Sequence, residues 1–192
     1  SGERTIISYD TPGHLVKKFF LHDELKKAKN IYISSLTSVS LEDKIEIITY
    51  LKGNRTLTFV NLSITDCKRE PEALYKIFDS LDVLIINAHE YSEIIKQPYE
   101  KIDFKNLELT LPYLRERILI VTDAEKGSYG YYKNEKYFQA SVEPKKIVDT
   151  TGCGDAYTAG FIAQYLKTKN IKTSMESGAK YAAEKLTRIG AN

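Results

Sequence analysis

Short β-branched runs alternating with helix-patterned stretches predict an α/β fold: three layers, with a mostly parallel sheet and helices on both faces. Two further observations shape that expectation. Near residue 127 the alternation gives way to a hairpin pattern and then to two long helical stretches. Along all 192 residues there is no internal repeat, low-complexity tract or linker-like segment, so residues 1–192 read as one domain.

Arg4 to Tyr9 is the first strand, closed by the breaker Pro12-Gly13. From Phe19 to Lys29 the apolar residues Phe20, Leu21, Leu25 and Ala28 form one helical stripe. Ile31 to Ser35 is a short strand. Ser40 and Asp43 give a capping start to a helix that runs through Leu51 and stops at Gly53. Leu57 to Leu62 is the next strand, Glu72 to Leu81 the next helix, and Val83 to Asn87 the strand after it. A short helix from Glu90 to Lys96 and another around Leu109 to Arg117 precede the strand Ile118 to Thr122. Gly127 to Lys133 and Lys136 to Ala140 then flank Asn134-Glu135, which reads as a two-residue hairpin turn. Helices from about Cys153 to Lys169 and from about Thr173 to Leu186 complete the chain.

Composition narrows the function classes. Hydrophobic residues make up 42% and charged residues 28%, the ordinary balance of a soluble globular protein. A net charge of +2, with Lys and Arg interleaved among Asp and Glu, leaves no basic surplus, so nucleic acid is not an expected partner. The apolar stretches Val83 to Ile86 and Ile118 to Val121 are far too short to cross a bilayer, no signal peptide precedes the first strand, and no membrane partner is expected. Cys67 and Cys153 make no disulfide framework at this length, which points to a reducing cytoplasm. The three histidines lack metal-ligand spacing to the cysteines, which argues against a structural zinc site. Met175 is the only methionine, so the chain does not open on an initiator and reads as a fragment of a longer protein.

The chemistry concentrates in Asp149-Thr150-Thr151-Gly152-Cys153-Gly154-Asp155, which leads into a helix carrying Ala156, Ala159, Gly160 and Ala163. Two glycines two apart at a helix mouth let the backbone come close to a ligand, and first-turn N–H groups without intrahelical acceptors can hold an anion. Fixed in place and shielded from water, each such donor is worth roughly 3 kcal/mol to a developing negative charge. Asp155 follows at once, a carboxylate placed to take the proton from a hydroxyl attacking phosphorus. Phosphoryl transfer needs both parts together. The plainer alternative is a Gly-containing loop whose Asp favours the helix dipole.

This heptapeptide resembles the signature of the ribokinase (PfkB-type) family of carbohydrate and nucleoside kinases, which usually reads DTxGAGD. The resemblance implies that Gly152, Cys153 and Gly154 supply an anion hole and that Asp155 is the catalytic base. It also implies that Asp149 and Thr151 help hold a monovalent cation, potassium, beside that hole. Cys153 stands where alanine is usual. Backbone amides act at that position, so the thiol is tolerated rather than catalytic. Asn87-Ala88-His89-Glu90, at the end of a predicted strand, is similar to the family's NxxE motif. That similarity puts Asn87 on the nucleotide side and Glu90 at magnesium through water, with His89 a solvent-facing bystander. Thr122-Asp123-Ala124-Glu125-Lys126-Gly127 resembles the nucleotide-side TxGxxG segment, with Thr122 and Gly127 in place and Ala124 where a glycine is usual. Arg188-Ile189-Gly190-Ala191 resembles the C-terminal stretch whose backbone carbonyls, here those of Arg188 and Gly190, complete the monovalent-cation site. Independently of any family, Asn61, Asn87 and Thr122 each lie at the C-terminal end of a predicted strand, the edge at which open α/β sheets bind ligands.

The resemblance thus implies an ATP-dependent kinase acting on a hydroxyl of a small-molecule sugar or nucleoside, with magnesium and potassium. Family members usually carry roughly a hundred further residues ahead of the point where this chain begins. Those hold the first strands, most substrate-hydroxyl contacts and a small β lid, so the fold expected here is ribokinase-like without them. The isolated stretch is then expected to be a poor enzyme, because positioning the acceptor hydroxyl supplies much of the rate. Homodimer formation stays open for the full-length protein, since the family's dimer contacts often use that lid. Two other readings stay open as well. One is a non-catalytic nucleotide- or sugar-binding module of the same fold, motivated by Ala124. The other is a vitamin-precursor kinase acting on a hydroxymethyl pyrimidine or pyridine, to which the Asp149-Thr150-Thr151 lead-in is less suited. Tyr129, Tyr131 and Tyr132 read as a half-buried hairpin face rather than a stacking platform.

Overall fold

A six-stranded sheet organises residues 27–36, 39–52, 56–107 and 112–190, which the computed structural model describes. Its strands lie in chain order: β1 (Asn30–Ile33), β2 (Leu57–Val60), β3 (Val83–Asn87), β4 (Ile118–Thr122), β5 (Ser128–Tyr132) and β6 (Glu135–Gln139). β1 to β4 run parallel, and β5 and β6 add an antiparallel hairpin.

The continuous apolar runs of β3 and β4 have a direct cause. Side chains alternate across a sheet, so a strand covered on both faces needs an apolar residue at every position. Leu84, Ile86, Leu119 and Val121 face one core, and Val83, Ile85, Ile118 and Ile120 face the other, all of them buried. The first core is roofed by α1 (Leu41–Lys52), α2 (Ile64–Cys67), α3 (Pro71–Ser80) and α4 (Ala88–Ile94), through Ile48, Cys67, Phe78 and Tyr91. The second lies under α5 (Cys153–Thr168) and α6 (Ile171–Lys185), through Phe161 and Met175. Each fully buried Leu or Ile contributes about 2 kcal/mol to holding these layers together. Three layers around a mostly parallel sheet are what the alternation of patterns predicts.

Two contacts fix where α5 begins. The Tyr157 hydroxyl donates to Ser128 Oγ at 2.8 Å, tying the first turns of the helix to the start of β5. A Cβ on Gly178 of α6 would stand 2.9 Å from the Tyr157 carbonyl oxygen, so the two helices approach at a distance only glycine permits.

Several expected boundaries move. The hairpin turn is Lys133-Asn134 rather than Asn134-Glu135, because Tyr132 pairs with Glu135. α4 starts at Ala88, two residues before Glu90, because Asn87 caps it. α6 starts at Ile171 rather than Thr173, with the Asn170 side chain accepting from the Thr173 amide. α2 was not expected at all. Of the stretch Leu109 to Arg117, the described part forms a 3-10 turn at Pro112–Leu114. The strand Arg4 to Tyr9, the Pro12-Gly13 breaker, the stripe residues Phe20, Leu21 and Leu25, the helix stop at Gly53 and Ala191 lie outside the described residues.

Candidate active site

Four strand ends and one helix start meet around a cleft of about 460 Å³. β1 leads into Ser35, β2 into Asn61, β3 ends in Asn87 and β4 in Thr122, while Gly152, Cys153, Gly154 and Asp155 of the α5 start face them. Parallel strands put all their carboxyl ends on one edge, which is why residues far apart in sequence gather there. Asn87 and Thr122 are register partners, and the Asn61 side-chain amide donates to the Ile85 carbonyl at 2.9 Å.

Asn87-Ala88-His89-Glu90 is a reciprocal helix cap. The Glu90 amide donates to Asn87 Oδ1 and the Asn87 amide donates to Glu90 Oε2, both at 2.8 Å. The helix start by itself therefore accounts for the three-residue spacing. Burial nevertheless pushes the Glu90 carboxyl up to about 7, against the lowering pull of its Asn87 bonds. A carboxyl group whose charged form is under-compensated on a cleft wall is one that a nearby cation would return to carboxylate, so this side chain fits magnesium. Among the described residues no group of three or more His, Cys, Asp and Glu gathers into a cage, so such an ion would keep mostly water and phosphate ligands. His89 is exposed and its ring lies 4.6 Å from that of Tyr99.

The loop after β4 is held from outside the cleft. Tyr99 Oη donates to Asp123 Oδ1 at 2.8 Å and accepts from Lys126 Nζ at 2.5 Å. Ala124 adopts φ 43, a left-handed conformation that costs an L-residue about 1–2 kcal/mol. A glycine would make this turn without that cost, which is the physical sense of glycine at this point of the pattern. Gly127, at φ 102, does not line the cleft. A Cβ there would lie 2.3 Å from the Gln139 carbonyl oxygen, so the entry to the hairpin demands glycine.

At the start of α5, Gly152 takes the left-handed conformation (φ 79) as the residue before the helix. The Cys153 amide makes a long 3.4 Å contact to the Thr150 carbonyl, and the first helical bond runs from the Ala156 amide to the Gly152 carbonyl at 2.9 Å. The Gly154 and Asp155 amides thus have no acceptor within the helix. A Cβ at Gly154 would meet nothing within 4 Å, so protein packing does not require glycine there. Asp155 is exposed toward the cleft, and its charge is felt across it. Burial first, then the charges of Asp155 and Glu90, push the Tyr32 hydroxyl of β1 up to about 12.

Asp149 stands behind this loop. Its carboxylate accepts from the Thr151 amide and from the Gly190 amide, both at 2.9 Å, and these bonds, Thr151 first, hold its carboxyl down at about 2. The Arg188 guanidinium turns outward to Glu184. Of the residues singled out in the sequence, the cleft brings together Asn61, Asn87, Glu90, Thr122, Thr150, Gly152, Cys153, Gly154 and Asp155. Asp149, Thr151 and Gly190 form the supporting layer, and Gly127 and the Arg188 side chain point elsewhere. Ser35 and Thr158 also line the cleft without having been singled out. Thr158, three residues after Asp155 on the same helix face, had a spacing signal. Ser35 had none.

The chain is similar in sequence and fold to known proteins. The cytidine kinase of Thermococcus kodakarensis is 26% identical over 170 residues, 88% of this chain and 59% of the relative. The nucleoside kinase of Methanocaldococcus jannaschii is 31% identical over 112 residues, 58% of this chain and 35% of the relative. The chain spans less than two thirds of the length of either. Among solved structures, a nucleoside kinase of Methanocaldococcus jannaschii described as an archaeal member of the ribokinase family superposes with a TM-score of 0.71 at 26% identity, over 85% of this chain and 51% of that one. Arabidopsis thaliana ribokinase, complexed with ribose and ATP, shares the fold with a TM-score of 0.71 at 19% identity, over 88% of this chain and 55% of that one. Residues 1–192 match the family model of the pfkB family carbohydrate kinases, and the chain belongs to that family.

Proposed function

We propose that the protein carrying this chain transfers the γ-phosphoryl group of ATP to a hydroxyl of a small sugar or nucleoside. One observation carries the reading: at a single cleft, a helix start with open space over Gly154 stands beside the Asp155 carboxylate. Asp155 takes the proton as the hydroxyl oxygen bonds to phosphorus and the bond to the departing ADP breaks, a contribution of about 10²- to 10⁴-fold. The amides of Gly152, Cys153 and Gly154 face the negative charge that develops on the transferring group, each worth roughly 3 kcal/mol once water is excluded. Asn87 and Thr122 border the nucleotide side, and the loop ending at Gly127 shapes it. Magnesium held through water at Glu90 would neutralise phosphate charge when bound. Asp149 and Thr151, with the backbone of Arg188 and Gly190, hold the cradle from behind, beside a monovalent positive charge.

Relatives named cytidine kinase, nucleoside kinase and 5-dehydro-2-deoxygluconokinase support both acceptor classes. The test is ADP release by the intact protein with ATP and magnesium across a panel of sugars and nucleosides. Release that depends on one acceptor is expected. Nucleotide binding without acceptor-dependent release would instead assign a binding module.

A second measurement isolates the cradle. Gly154→Ala should leave the melting temperature unchanged or slightly higher, since the added methyl meets no protein atom within 4 Å and alanine favours a helix. It should lower kcat/KM by about tenfold or more, because the methyl displaces the phosphoryl group from its near-attack position. Unchanged kinetics would remove the cradle from the mechanism.

A further inference from the structure

The last residue of α6, Lys185, is 8% exposed, and its ammonium donates to the Arg188 carbonyl at 3.5 Å. Among the described residues it enters no ion pair. Its position follows from the way the chain turns back after α6. The Arg188 amide donates to the Lys185 carbonyl at 3.1 Å, and the Val148 amide to the Leu186 carbonyl at 2.8 Å. The Gly190 amide then reaches Asp149 Oδ2. This hook holds residues 186–190 against the loop that begins the anion cradle, and the buried Lys185 side chain reaches its Arg188 carbonyl. The same hook that carries the Arg188 carbonyl ends in the Gly190 amide bond to the Asp149 carboxylate at 2.9 Å. Arg188 brings no charge inward, because its guanidinium pairs with Glu184 outside.

Potassium and an alkylammonium ion seek the same surroundings, a shell of carbonyl oxygens near a carboxylate. Here the chain's own ammonium already bonds the Arg188 carbonyl, one of the two C-terminal carbonyls expected to face a bound monovalent cation. A second cation on that oxygen would meet like charge at close range, so the residues present do not fit it. We infer that Lys185 is a positioning residue that supplies this positive charge from within the chain, so that the cradle at Gly152 to Gly154 is held without a bound potassium ion. The role acts through the Arg188 carbonyl and Asp149 on the cradle loop, and its activity readout rests on the kinase reading above. The plainer role, a lysine capping the carbonyls at a helix end, predicts no link to salt identity.

The test compares the intact protein in potassium chloride and in choline chloride at equal ionic strength. Wild-type kcat/KM should agree within about twofold, the residue of general screening differences. The melting temperature should not rise with potassium, as it must when an ion binds only the folded state. Crystals soaked in a thallium(I) salt should show no thallium at the hook. Lys185→Ala, which vacates the space, should lose about tenfold in choline and regain most of it in potassium, whereas Lys185→Met, which fills the space, should lose as much and regain little. Thallium at the hook of the wild type, or stimulation of about tenfold by potassium, overturns the inference. So does a loss in Lys185→Ala that potassium leaves unrestored. If the variants fail to fold, the wild-type salt comparison and the thallium map still decide. Absence of phosphorylation in every salt would sink the kinase reading alone, leaving the melting and thallium results to judge Lys185.

Discussion

Asp155→Asn should lower turnover of the intact protein by about 100-fold or more while its affinity for ATP stays within about twofold. The substitution keeps shape and nearly keeps volume, and Asp155 is exposed at the first turn of α5, so folding has little stake in its charge. Asparagine cannot accept the hydroxyl proton, so the alcohol must attack while still protonated. Nucleotide affinity should persist because the groups proposed to surround the phosphates, backbone amides and the Asn87 and Thr122 side, do not change. The pair of readings matters more than the loss itself. Turnover retained at wild-type level would remove the base assignment. Loss of ATP binding along with turnover would mean that Asp155 supports the cradle rather than the proton transfer. Single-turnover phosphorylation with direct nucleotide titration separates these outcomes.

How much of this was legible in the sequence depends on whether a feature is local. The sheet was, because a strand buried on both faces must be apolar throughout, as Val83 to Ile86 and Ile118 to Val121 are. Gly152, Gly154 and Asp155 were legible for the same reason, being one contiguous helix start. Asn87 and Glu90 were legible but ambiguous, since their spacing satisfies a helix cap as readily as a magnesium site, and the structure shows the cap outright. Four-residue α2 is too short for periodicity to register, although Ser63 and Asp66 carried its capping signature. The hairpin slipped by one residue because Lys133, not the asparagine beside it, takes the left-handed conformation at φ 54. Ser35 and Lys185 were hidden altogether. Ser35 reaches the cleft only because parallel strands share an edge. A lysine near the end of a charged helix reads as solvated, whereas Lys185 is buried where the chain turns back after α6.

The same blindness covers Lys44, and there it bears on stability. Its side chain is 0% exposed, and Nζ meets Asp66 Oδ2 at 2.5 Å, with Asp66 at 8%. That one carboxylate oxygen also accepts from the Ser63 amide at 3.0 Å and the Ser63 hydroxyl at 2.8 Å. The pair therefore staples α1 to the start of α2. Forming a buried ion pair gains little over an apolar contact of similar size, because desolvation offsets the attraction, but removing one partner strands the other charge. Lys44→Met should accordingly lower the unfolding free energy by about 3–5 kcal/mol, read by urea denaturation with an unchanged slope. Lys44→Met combined with Asp66→Asn should recover a substantial part of that loss, because the stranded carboxylate is gone while the amide oxygen can still accept from Ser63. A cost below about 1 kcal/mol for the single variant would show that water reaches Asp66 and that the staple is dispensable. The consequence extends to the cleft, since Asn61 lies two residues before Ser63 and lines the cleft. We expect KM for a cleft substrate to rise in Lys44→Met at temperatures where the variant is still folded, read by steady-state kinetics.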